Sequence, residues 1–133
     1  MAKANVDEAH LKLRRENWIM RVSALADQVS KWSEAEGWKV ERHEKTLKEE
    51  LLGTYRVPEI SVRPSGGEIL LVPVALHIVG GDGRVDLEAI PTLARVKLIG
   101  VKDGWAIFAD TNVPLRMNWN RRNFVTLAQD LLS

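Results

Sequence analysis

Side chains able to do chemistry gather between Val74 and Lys97, where VALHIVGGDGRVDLEAI is followed by a second alternating run, ARVKL. Apolar and polar residues alternating on either side of a glycine-rich turn are the pattern of a β-hairpin with two distinct faces. With Gly80 to Gly83 as a four-residue loop, Val79 faces Arg84, His77 faces Asp86 and Ala75 faces Glu88. Val74, Leu76, Ile78, Val85 and Leu87 then form the buried face, and His77, Arg84, Asp86 and Glu88 share the other. In the next run Arg95 and Lys97 alternate with Val96 and Leu98, which brings Lys97 towards Asp86 and Glu88. Two carboxylates and a lysine on adjacent strands suit a divalent cation such as Mg2+ and the charge that develops on a phosphate. The same alternation of charge is also the ordinary solvated face of an antiparallel sheet.

One reading is therefore a metal-dependent, nuclease-like enzyme that uses Asp86, Glu88 and Lys97, with the metal at Asp86 and Glu88. Against it, Ala94-Arg95-Val96-Lys97 lacks the acidic residue two positions before the lysine that PD-(D/E)xK nucleases carry. Glu49 and Glu50 are further carboxylates whose distance from this face the sequence leaves open.

A second cluster is PLRMNWNRRNF, residues 114 to 124, in which Arg116, Arg121 and Arg122 surround Trp119 at the start of a helical pattern. Arginines around an exposed aromatic can hold a phosphate backbone and stack a base, the recognition mode of a small nucleic-acid-binding module. Two arginines in a first helical turn also oppose the helix dipole. The competing reading has Trp119 closing the end of the core with solvated arginines around it. The chain has 19 basic and 18 acidic residues and a formal charge of +1, so no global field draws it to nucleic acid or to an anionic membrane.

Five tryptophans against three other aromatics form the third feature. Tryptophan anchors protein interfaces because one side of the ring packs while the indole N–H meets a polar partner. Trp18, Trp32, Trp38, Trp105 and Trp119 are therefore the candidate partner-binding residues. Trp18 and Trp32 also fit a buried helix stripe.

Other chemistry is excluded or unsupported. Without cysteine there is no disulfide, thiolate nucleophile, zinc ribbon or iron–sulfur ligation. His10, His43 and His77 are too dispersed for a recognisable ligand set. Gly80-Gly81-Asp82-Gly83 lies between strands rather than ahead of a helix, so it is no phosphate loop. No nucleophile elbow, His-Glu-x-x-His helix or EF-hand loop occurs.

The elements that position these residues follow from periodicity. Trp18, Val22, Leu25, Val29 and Trp32 are spaced 4-3-4-3 and predict one long N-terminal helix, capped at Asn5 or Asp7 and ended by Gly37. Its outer end, before Arg15, extends past a small domain and offers a docking surface. Trp38 and Val40 begin a period of two, and EKTLKEELL, residues 44 to 52, reads as a short helix. Strand-like runs follow at Thr54 to Arg63, Glu68 to Val79, Arg84 to Ile90, Ala94 to Val101 and Trp105 to Asp110, joined by turns too short for parallel crossovers. Pro58 and Pro73 fall inside these runs, where each removes a ladder donor and marks an edge, a bulge or a break. Asn120 caps a last helix with Phe124, Leu127, Ala128 and Leu131 on one side.

The sum is a single α+β domain over residues 1–133: a long N-terminal helix, an antiparallel meander of about five to six strands, and a C-terminal helix packed on the sheet. Neither a secretory signal nor an apolar run of bilayer length is present, which points to the cytoplasm and to no membrane partner. The functional expectation is a non-enzymatic accessory, adaptor or immunity-type subunit that binds another protein through its long helix or a sheet face, without a cofactor.

Overall fold

The computed structural model describes residues 2–109 and 116–133, and the side chains of residues 7–109 and 117–133. Helix α1 (Ala2–Ala35) is followed by β1 (Lys39–Glu49), β2 (Gly53–Arg63), β3 (Glu68–Ile78), β4 (Gly81–Ile90), β5 (Arg95–Val101), β6 (Gly104–Ala109), β7 (Arg116–Asn118) and α2 (Arg121–Leu131). Among the described residues the strands form one seven-stranded sheet in sequence order, every neighbouring pair antiparallel. The α+β meander is as expected, with slightly more strands. Among the described residues no helix is long and apolar enough to cross a membrane.

The predicted helix stripe is the core. Trp18, Val22, Leu25, Ala26 and Val29 are buried against Val57, Ile60, Val62, Ile69, Leu71, Val85, Leu87 and Leu98 of the sheet. Gly37 ends α1 in a left-handed conformation (φ 78°), with its N–H donated to the Glu34 carbonyl and that of Trp38 to Ser33. Helix α1 starts at Ala2, ahead of both proposed caps; Asp7 lies inside it, and the side chain of Asn5 lies outside the described residues. At the other end of the chain, Asn120 accepts the Asn123 backbone N–H at 2.8 Å, the expected cap, and α2 buries Phe124 and Ala128.

Two local readings are corrected. Residues 44–49 are strand, not helix: β1 pairs with β2 over eleven residues, and this ladder overrides the helix propensity of Glu, Lys and Leu. The hairpin between β3 and β4 turns at Val79-Gly80, not over Gly80 to Gly83, and a register shift between Pro73 and Ala75 changes its pairing. Proline has no N–H for the ladder, so the strand slips by a residue there. His77 consequently faces Asp82, Ala75 faces Arg84, and Val72, not His77, faces Asp86. Leu76, Val85 and Leu87 are buried as expected, but Val74 is turned out to solvent and Ile78 is only half-buried.

The two prolines also divide the sheet. Along β2 the core-facing residues are Tyr55, Val57, Ile60 and Val62, so the face changes across Pro58 and Glu59. β2 and β3 pair only at Ile60↔Leu71, Ser61↔Leu70 and Val62↔Ile69, and beyond these the strands part. Side chains bridge the gap. The Glu49 carboxylate accepts the backbone N–H groups of Leu76 (3.1 Å) and His77 (3.0 Å), and Lys45 Nζ donates to the Pro73 carbonyl at 3.0 Å.

Close approaches at the β4–β5 side require glycine, of α1 at Gly83 and of the β4 backbone at Gly100. A Cβ on Gly83 would lie 2.2 Å from the Trp18 ring, and one on Gly100 would lie 2.2 Å from the Asp82 carbonyl oxygen.

Candidate functional site

On the helix-free face of β4 and β5, Asp86 faces Lys97 and Glu88 faces Arg95, so the register does bring the predicted acidic residues and Lys97 together. What they hold is arginine. Arg84 forks onto Asp86, Nε to Oδ1 at 2.7 Å and Nη2 to Oδ2 at 3.0 Å, and the Asp86 side chain is only 5% exposed. Arg95 lies 3.9 Å from both Asp86 and Glu88. Both Asp86 oxygens are thus taken by a planar cation, with a second cation alongside, an arrangement that opposes a metal ion at the same carboxylate. Among the described residues no group of three or more His, Cys, Asp or Glu side chains is gathered to hold a metal.

The 116–122 cluster is divided. Arg121 pairs with Glu36 at the end of α1 (3.1 Å), Trp119 donates its indole N–H to Gln28 (2.6 Å), and the Arg122 side chain is exposed. The side chain of Arg116 lies outside the described residues.

The tryptophans form two aromatic groups against the core. Trp32, Trp38 and Trp119 surround Phe124, with ring centroids 5.9, 6.1 and 5.6 Å away. Trp18 meets Trp105 at 5.9 Å. Trp18 is 1% exposed and donates its N–H to the Tyr55 hydroxyl at 3.0 Å, so it is corrected from a partner-binding residue to a core residue. Trp32, Trp38, Trp105 and Trp119 remain half-buried.

Beside these groups lies an open cleft of about 670 Å³, lined by Trp105 and Trp119 and by Ala24 and Gln28 of α1. Arg21 builds its inner end. Its guanidinium donates to the carbonyls of Asp82 (3.3 Å), Val101 (3.3 Å) and Gly104 (2.9 Å) and lies 5.0 Å from the centre of the Trp105 ring. Sequence reasoning missed Arg21, because its acceptors lie 61 to 83 residues along the chain.

It missed a second constellation too. Tyr55, which takes the Trp18 N–H, donates its hydroxyl to Glu49, the carboxylate that spans the gap between β2 and β3. Burial pushes the Tyr55 phenol well above the usual tyrosine range; the hydrogen bond to Glu49 and its negative charge add to this, and the Trp18 N–H acts the other way. Tyr55 is therefore a neutral donor. Both Glu49 oxygens are engaged, and His77 Nδ1 stands 3.8 Å from one of them. The arrangement is a clasp with its hydrogen bonds filled, and sequence carries one signal for it, a lone tyrosine at the start of a strand.

Comparison with protein-family models, with curated proteins and with solved structures finds no match to this chain.

Proposed function

We propose that the chain is a non-enzymatic accessory subunit of the cytoplasm, whose α1 docks an amphipathic helix of a partner protein. The outward side of α1 carries this reading. At about 100° per residue, Ala9, Leu13 and Met20 lie opposite the buried Trp18, Val22, Leu25 and Val29. Leu13 is 55% and Met20 69% exposed. Solvated helix positions are served as well by Lys, Glu or Gln, so a leucine and a methionine two turns apart on the open side mark a second contact face. Seven residues is also the repeat at which one helix meets the same side of another, and methionine adapts to the partner's shape. With 34 residues α1 runs about 51 Å, enough for such a contact alongside its own sheet. The filled hydrogen bonds of Glu49 and Asp86 agree with binding as the work done.

The experiment compares complexes retrieved from native cell extract by tagged wild type, by Leu13→Glu with Met20→Glu, and by Leu93→Glu, an exposed control on the β4–β5 turn. Native mass spectrometry is expected to find a stoichiometric protein partner with wild type and control, lost from the double variant while its melting temperature holds. A partner kept by the double variant, or none with wild type, overturns the proposal.

A further inference from the structure

We propose that the cleft between α1 and the β5–β6 turn binds a small planar organic anion, an activity separate from protein docking. Three observations on the cleft converge. Its volume, about 670 Å³, is in the range of small-ligand sites, and the two indoles of its lining, Trp105 and Trp119, favour a flat, conjugated body. Its floor is set by Ala24, which is exposed, so the space above the helix is left open where a longer side chain would fill it. Its charge is unbalanced: Arg21 and Lys102 line it against one carboxylate, Asp103.

Arg21 carries the argument on charge. Among the described residues no carboxylate is paired with its guanidinium; three carbonyl oxygens and the face of Trp105 hold it instead. Those contacts fix the plane of the cation and leave its net charge uncancelled. A half-buried arginine so held attracts a ligand carboxylate or sulfonate more strongly than a solvated one, because its geometry is set in advance and water screens it less. Gln28, also in the lining, accepts the Trp119 indole N–H, which orients its amide. An aromatic ring against the indoles, with its acidic group towards Arg21 and Lys102, satisfies all of these at once.

The probe is naphthalene-2-carboxylate, with the neutral naphthalene-2-carboxamide as comparison, titrated into the full chain and followed through the indole N–H resonances of the five tryptophans. The carboxylate is expected to shift Trp105 and Trp119 saturably with a Kd below about 1 mM, and the amide to bind about tenfold more weakly. Ala24→Phe, which fills the floor, should abolish the shifts. Lys102→Glu, on an exposed turn and without consequence for folding, should weaken the carboxylate and spare the amide. Absence of saturable shifts at Trp105 and Trp119, equal binding of acid and amide, or unchanged carboxylate binding by Lys102→Glu would each overturn the proposal. The outcome is independent of whether Leu13 and Met20 dock a partner.

Discussion

Tyr55 is the chain's one tyrosine, so the alkaline titration of a single phenol reports directly on the clasp at the sheet gap. The side chain is 6% exposed, donates to Glu49 and receives the Trp18 N–H. Burial first, then the hydrogen bond to Glu49 and its charge, raise the pKa in the folded state. The unfolded chain has an ordinary phenol that ionises near pH 10. Above that pH the unfolded state gives up a proton that the folded state keeps, so it binds fewer protons and stability falls as pH rises. The slope approaches about 1.4 kcal/mol per pH unit, and below about pH 9 Tyr55 adds no pH dependence. Urea unfolding of wild type and Tyr55→Phe at matched pH gives a difference curve in which the lysines, common to both, cancel. That curve should be flat to about pH 9 and then decline in wild type relative to the variant. Phenolate absorbance of the native protein should stay absent until well above pH 10, and Glu49→Gln, which removes the charge, should bring it down towards the ordinary value. Native phenolate appearing near pH 10 in wild type, or a difference curve without slope, would refute the reasoning.

Glu49→Ala leaves the Leu76 and His77 N–H groups without their acceptor, a loss of roughly 2 to 5 kcal/mol by urea unfolding, where a change under about 1 kcal/mol would count against the clasp. Gly83→Ala and Gly66→Ala both place a side chain at positive φ, but only at Gly83 does the new Cβ meet the Trp18 ring; Gly66→Ala should cost about 1 kcal/mol and Gly83→Ala at least about 2 kcal/mol more. Asp86→Ala strands the Arg84 fork and should cost about 2 to 3 kcal/mol, while calorimetric titration of wild type with Mg2+ should show no saturable binding at this face.

Much of the fold was legible because it rests on local signals. The 4-3-4-3 stripe, Gly37 after α1, Asn120 before α2 and the short glycine turns each state their role within a few residues. The failures share a different cause. EKTLKEELL favours helix by composition, and only pairing with Gly53–Arg63 makes it a strand. The register of β3 and β4 depends on where the hairpin turns, and the tight turn at Val79-Gly80 moves His77 from Asp86 to Asp82, while the missing donor at Pro73 adds a slip of one residue. Asp86, Glu88 and Lys97 could be placed on one face from alternation alone, whereas the fork from Arg84 depends on rotamers. Arg21 and Tyr55 were invisible, and Glu49 was a carboxylate without a place, because each is defined by groups that only the tertiary fold brings within 3.5 Å.

Three side chains on two turns of α1 reach both parts of the divided sheet. Arg15 donates to the Leu52 carbonyl at the tip of the β1–β2 arm, Trp18 to Tyr55 on β2, and Arg21 to the turns at Asp82, Val101 and Gly104. Only three register pairs join β2 to β3, so α1 acts as a splint over the seam, beside the Glu49 and Lys45 bridges. A load taken up by the outer end of α1 is therefore passed to the arm and to the far hairpin together, through fasteners spaced only three residues apart.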